Sequence, residues 1–205
     1  TTPLHWGIHV PANSSIKKVD ELKDKTFAIS REGSGSHLMT FVKASQEGWE
    51  TANLRFNVVG DIYGGLWALE NNVAQGFLWE KYTTFPYTEQ GKCKYIDEVV
   101  TPWPCFVIAV RNEVLEKHGD LLKRMCEIVN KKALEVKKDE DSVEVISWRY
   151  NLRSRQVENW LIETDWNYDG IEYPLAFDKV IRYLTKLDLL KEEDADMWQK
   201  KLFYS

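Results

Sequence analysis

Cysteine is scarce and unpatterned: Cys93, Cys105 and Cys126 are the three in 205 residues. An odd number with neither CxxC nor paired Cys/His spacing argues against a disulfide framework and a structural zinc site, and favours a reducing, cytoplasmic compartment. Long apolar runs are lacking too. No stretch approaches the roughly 18 consecutive apolar residues that a membrane span needs. Basic charge is in deficit, with 27 Lys and Arg against 32 Asp and Glu and a formal net charge of -5. That leaves no chain-wide positive field for nucleic acid. Histidine is sparse at four residues. His5 and His9 have metal-ligand spacing only on a helix; on a strand they share a face roughly 13 Å apart, so no metal site is expected there.

What is present is an ordinary globular composition, 43% hydrophobic and 29% charged, with an unusual load of nine tryptophans. Indoles suit both cores and the walls of ligand pockets. Up to about residue 110 the chain alternates short apolar runs with amphipathic stretches, the signal of strands joined by crossover helices in an α/β fold. Strands are predicted at Trp6-Gly-Ile-His-Val10, Thr26-Phe-Ala-Ile-Ser30, Leu54 to Val59, Gln75-Gly-Phe-Leu-Trp79, Lys94 to Val100 and Cys105 to Val110. A turn of helix is predicted within Ser15 to Lys23. Longer helices are predicted from His37, with Leu38, Met39, Phe41, Val42 and Ala44 as the buried stripe, and through Gly64 to Leu69. From Arg111 the period changes to 3.6, giving a long helix from Glu113 to Val136, a charged break at 137–142, and further helices ending at Phe203. These helices have few strands left to lie on, so strands are expected to be missing from this part.

The most informative segment is Arg31-Glu32-Gly33-Ser34-Gly35-Ser36-His37. Two glycines let the backbone turn and approach a ligand, Ser34 and Ser36 offer hydroxyls, and the following helix points free N–H groups and its positive end into the loop. This is the pattern of an anion cradle, at the carboxyl end of a strand, where ligands of open α/β sheets lie. It is neither a P-loop nor a dinucleotide fingerprint. The plainer alternative is a tight turn in which Ser36 caps the helix. Asp61, in Gly60-Asp61-Ile-Tyr-Gly64-Gly65, sits in a second such loop and Glu80, after Phe77-Leu78-Trp79, in a third; all three are expected on one edge. Glu80 offers an acceptor to a ligand ammonium or hydroxyl, and Trp79 and Trp103 offer aromatic walls, with core packing as their default. Cys105 with His37 is the one nucleophile and base pair worth considering, and no spacing brings the two together.

Four segments in this order carry a resemblance: Thr2-Pro-Leu-His-Trp-Gly-Ile-His9, Ile29-Ser-Arg-Glu-Gly-Ser-Gly-Ser-His-Leu-Met39, Gly76-Phe-Leu-Trp-Glu80 and Thr101-Pro-Trp-Pro-Cys-Phe106. The chain resembles type II periplasmic-binding-protein-like proteins, the group related to the sulfonate/taurine-binding proteins and the thiamine-pyrimidine synthases. The resemblance implies two α/β lobes with a ligand in the cleft. Residues 14–102 would form one complete lobe. Residues 1–13 and 103–205 would supply the hinge strands and a mainly helical return to the other lobe, whose N-terminal part is absent from this sequence. With the loop reading above, the expectation is binding of a small, anionic molecule without chemistry, by Ser34, Gly35, Ser36, His37, Asp61, Trp79, Glu80 and Trp103, and with no cofactor. No transporter partner is indicated. The cysteine-rich motif of the thiamine-pyrimidine branch is not matched. The alternatives are an enzyme of that branch, needing a cofactor and a reactive Lys or His, and a protein-interaction module using Trp160, Trp166 and Trp198 of the helical half.

Overall fold

Alternating side chains divide the sheet into two faces. In β1 (His5–Pro11), Ile8 and Val10 join one apolar cluster, while Gly7 and His9 turn to the other side. Phe27 of β2 (Thr26–Ile29) and Leu78 of β4 (Gly76–Glu80) belong to the first cluster. Their neighbours Ala28 and Phe77 belong to the second. Such alternation is what a sheet covered on both faces requires. With β3 (Arg55–Val58) and β5 (Cys93–Val100) the order across the sheet is β3-β2-β4-β1-β5. Strand β2 runs parallel to β3 and β4, and β1 runs antiparallel to both β4 and β5.

Helix α1 (Gly35–Gln46) places Met39 and Val42 on the first face, with Phe27, Leu78 and Ile8. Helix α2 (Ile62–Glu70) places Leu66 and Leu69 on the second, with Phe77 and Cys93. Helix α3 (Lys81–Glu89), whose Tyr87 packs on that second cluster, follows β4. The structure, a computed structural model, describes residues 2–166, 173–191 and 193. The chain divides into two compact units. All five strands lie in the unit of Leu4–Trp103, together with the described residues from Pro174 onward, where Tyr183 and Leu187 at the end of α7 (Tyr173–Lys186) pack on the first cluster.

The other unit takes residues Pro104–Tyr173 with the N-terminal Thr2 and Pro3. It contains α4 (Asn112–Lys138), kinked at His118, α5 (Ser142–Tyr150) and α6 (Ser154–Glu163), whose Val157 and Leu161 are buried. Thr2 exchanges hydrogen bonds with Asp165, 3.0 Å from its amide and 3.2 Å to its hydroxyl.

Several expectations need correcting. Cys105 to Val110 form no strand: an apolar run becomes a strand only with a neighbour to bond to, and among the described residues its unit has none. Phe106 and Val107 are accordingly 63% and 67% exposed. Of Ser15 to Lys23, only Val19–Leu22 is helical, as a single 3₁₀ turn. Trp160 and Trp166, read as interaction surfaces, are half-buried and meet edge to face at 6.0 Å. The exposed indole of that unit is Trp148, at 84%. Trp198 and the helix end at Phe203 lie outside the described residues.

His9 is a basic group sealed inside the sheet. It is 1% exposed, its Nδ1 lies 3.2 Å from the Phe77 carbonyl, and its Nε2 has no partner among the described residues. Burial lowers its pKa from 6.5 to about 4, against the opposing backbone hydrogen bonds to Phe77 and Gly7. Because the folded state refuses a proton that the unfolded chain accepts, this contribution is complete above pH 6.5 and is lost as pH falls toward 4. The loss is about 3 kcal/mol at full extent. Urea unfolding at pH 7.5 and pH 4.5 should therefore show a larger drop in the wild type than in His9→Gln. Equal drops would mean that His9 is not the group responsible.

Candidate functional site

Strand direction decides which ends meet. Because β2, β3 and β4 are parallel, their carboxyl ends share one edge, and β5 joins them since both β4 and β5 oppose β1. The reversed β1 brings its amino-terminal end to the same edge, with Trp6 paired to Glu80 and Val99. Neighbouring strands β2 and β4 send their helices to opposite faces, α1 to one and α3 to the other. Between strands whose helices diverge in this way, the carboxyl ends are where open α/β sheets bind ligands.

The loop after β2 lies at this point of the edge. Its cap is Ser34, and the helix starts at Gly35, two residues before the expected His37; Ser36 is not the cap. The Ser34 hydroxyl accepts from the His37 amide at 3.4 Å and lies 3.0 Å from the Ser36 hydroxyl. The Ser36 hydroxyl in turn accepts from the Ser30 amide at 3.0 Å. Both serines are buried. His37 Nδ1 accepts from the Gly33 amide at 2.9 Å, and its ring meets Phe56 at 4.5 Å and Phe41 at 5.0 Å. Burial lowers the His37 pKa, with Glu32 opposing. Ser34, Ser36 and His37 thus hold the loop together. What the loop presents is backbone: the amides of Gly35 and Ser36, in the first turn, have no acceptor within the helix.

The other two loops end in carboxylate caps. Asp61 Oδ1 accepts from the Gly64 amide at 2.9 Å and caps α2. Glu80 caps α3, Oε1 accepting from Tyr82 at 3.1 Å and Oε2 from Thr83 at 2.8 Å. Burial raises the Glu80 pKa despite these bonds. The sequence pattern left 81–93 unassigned, since threonines and Pro86 disguise a helix that the Glu80 cap starts. Trp79 stacks on Phe77 at 5.3 Å in the second cluster, and Trp103 meets Tyr183 at 5.8 Å against the first. Of the eight residues expected at the site, Ser34, Gly35, Ser36, Asp61 and Glu80 come together at the carboxyl edge, His37 buttresses the loop, and the two tryptophans are packed into the layers. Cys105 and His37 belong to different units.

Sequence reasoning missed two features of this edge. Trp6 lies on Gly35: a Cβ there would come within 2.4 Å of its ring. Beside it, Glu98 gathers His5 Nδ1 at 2.9 Å, Lys81 Nζ at 3.0 Å and the Tyr95 hydroxyl at 2.8 Å. Burial alone would raise the Glu98 pKa, but these three partners hold it down to about 2. His5 is thereby engaged with a carboxylate of β5. Its spacing from His9 was the only sequence signal at this position, and it suggested a different chemistry.

An open sheet of this order, with its switch-point loop and a second helical unit, is the periplasmic-binding-protein fold, as the sequence resemblance implied. The family model described as Ca3427-like PBP matches residues 6–99. Among solved structures, the Candida albicans CA3427 gene product is 23% identical with a TM-score of 0.85, over 97% of this chain and 67% of that one. The alkanesulfonate-binding protein SsuA from Xanthomonas axonopodis pv. citri is 12% identical with a TM-score of 0.71, over 93% and 69%. SsuA from Escherichia coli, an aliphatic sulphonate binding protein, is 15% identical with a TM-score of 0.63, over 99% and 68%. The chain therefore spans about two thirds of the length of these structures. No curated protein matches the sequence.

Replacing Ser36 by Ala removes the acceptor of the Ser30 amide and the partner of Ser34 in a buried setting. A loss of roughly 1–3 kcal/mol in unfolding free energy is expected. A change within about 0.5 kcal/mol in urea titration, the size of an ordinary surface substitution, would mean that the loop does not depend on this hydroxyl.

Proposed function

We propose that the carboxyl edge of this sheet is one wall of a binding site for a small anionic molecule, and that the protein binds its ligand without reacting it. Residues 14–102 then belong to one lobe, and within residues 103–205 the helices of Pro104–Tyr173 return to a second, while the described residues from Pro174 onward stay with the sheet. One observation carries the anionic reading. Three helices, α1, α2 and α3, begin at this edge, each adding a positive dipole end. Asp61 and Glu80 offset that charge at α2 and α3, whereas α1 is capped by the uncharged Ser34. This helix start, capped by no carboxylate, lies at the shared edge with first-turn amides able to donate to an oxyanion. Two structural relatives are named as sulfonate-binding proteins, which supports the same ligand class.

The test exchanges the cap. Ser34→Asn keeps a neutral capping group, and Ser34→Asp keeps capping but adds the carboxylate that α2 and α3 already have. Thermal shifts are measured with alkanesulfonates, phosphate and carboxylates. A ligand at about 100 times its Kd adds about 2.7 kcal/mol, a rise of roughly 5–10 °C for a chain of this size. The wild type and Ser34→Asn should respond to at least one anion, and Ser34→Asp should not. Silence throughout, or an undiminished response in Ser34→Asp, refutes the proposal.

A further inference from the structure

Helix α2 carries an unusual solvent face. Its exposed positions are Tyr63, Trp67 and Glu70, spaced at i, i+4 and i+7 so that they share one side of the helix. A helix packed on a sheet ordinarily turns charged and polar side chains outward. Here Tyr63 and Trp67, both large aromatics, are 66% and 57% exposed. The packing of α2 does not need them, since Leu66 and Leu69 already bury its inner face in the second cluster. Aromatics grouped in the open and rimmed by charge are a mark of ligand-binding grooves.

A pocket of about 510 Å³ lies against this face, within the range of roughly 300–1,000 Å³ found for small-molecule sites. Tyr63 and Trp67 line it from α2 and Tyr87 from α3, with the buried Leu66 among them. The Tyr63 and Tyr87 rings meet edge to face, their centroids 6.3 Å apart. Two charged side chains line it as well, Glu70 and Lys92. The Lys92 ammonium lies 5.6 Å from the centroid of the Tyr87 ring, so one aromatic face of this pocket already holds a cation. The Glu70 carboxylate has no hydrogen bond or ion pair among the described residues. Open aromatic surface thus meets one carboxylate without a partner. Lys92 precedes Cys93, the first residue of β5, at the end of that strand away from the carboxyl edge. Neither Ser34, Asp61 nor Glu80, the caps of that edge, lines the pocket.

We propose that this pocket is a second ligand site, for a small aromatic molecule that carries a protonated amine. The ligand ring packs on Trp67 and Tyr63, whose faces attract both apolar surface and positive charge. Its ammonium donates to Glu70, which as a carboxylate can only accept. A neutral analogue lacks the charge that strengthens this bond, and an anionic one is repelled by it. Lys92 opposes a cation on Tyr87 itself and leaves the Trp67 and Tyr63 faces to the ligand. This site is independent of the anion-binding edge, and either can fail while the other stands.

The experiment titrates the full chain, near neutral pH, with three molecules of almost one shape: phenethylamine, phenethyl alcohol and phenylacetate. ¹H–¹⁵N spectra follow the Trp67 indole N–H, identified by its absence from Trp67→Ala. Phenethylamine should move this signal saturably, the alcohol should bind about tenfold more weakly, and phenylacetate more weakly still. Glu70→Gln should lower phenethylamine to the affinity of the alcohol, and Trp67→Ala should abolish binding of all three. Equal affinities for the three molecules, a preference for phenylacetate, or a Trp67 signal that none of them moves overturns the proposal. So does a Glu70→Gln variant that binds phenethylamine as tightly as the wild type. Both substituted positions are exposed, and the wild-type order of affinities decides the matter even where a variant loses its fold.

Discussion

Everything at the candidate site depends on one strand running against its neighbours. β1 is inserted between β4 and β5 and bonds to both, from Trp6 to His9 on one side and from His5 to Pro11 on the other. Its Ile8 and Val10 are among the most deeply buried side chains of the first cluster. The insertion demands a glycine at position 7, because a Cβ there would come within 2.7 Å of the His9 ring and 3.1 Å of Tyr95. Were β1 parallel, its carboxyl end, Pro11, would face the ligand edge. Running in reverse, it delivers His5 and Trp6 there instead, and with them the Glu98 network and the indole on Gly35. The tertiary insertion of β1 thus determines the chemistry of the edge as much as the loops do.

The loops themselves divide the labour unequally. In each, a polar side chain caps a helix, but the charge of the cap decides what remains for a ligand. A carboxylate cap satisfies amides and offsets the dipole in one step, leaving little attraction for a second anion. A serine cap satisfies one amide at 3.4 Å and leaves the field intact. The Ser34, Ser36 and Ser30 chain of hydrogen bonds then holds the first turn in place. Hydroxyls read from the sequence as ligand donors are engaged here in holding the loop. On the proposed reading, such an arrangement would lose little on binding, since its backbone donors are already ordered.

Much of this was legible in the residues. The strands of the sheet lie within a residue of their expected bounds, because period-two apolar alternation is a local signal. The loop from Arg31 to His37 stood out because glycine and serine before an amphipathic stretch have few other uses. What failed was whatever depends on distant partners. The run from Cys105 to Val110 has strand composition, yet composition supplies no neighbouring strand. Helix α3 is built from residues that favour other conformations and is secured by Glu80, whose cap geometry no pattern announces. Trp6 and Gly35 are 29 positions apart in sequence, and nothing in either segment says that one lies on the other.

The same reasoning bears on what sets ligand choice. Backbone amides recognise any oxyanion of suitable size and distinguish poorly among sulfonate, phosphate and carboxylate, because every residue type offers the same N–H. Selectivity must come from side chains whose shape and hydrogen-bonding sense are fixed, and at this edge the structure leaves few that are not already committed. Asp61 and Glu80 serve their helices, His37 serves its loop, and Lys81 is held by Glu98.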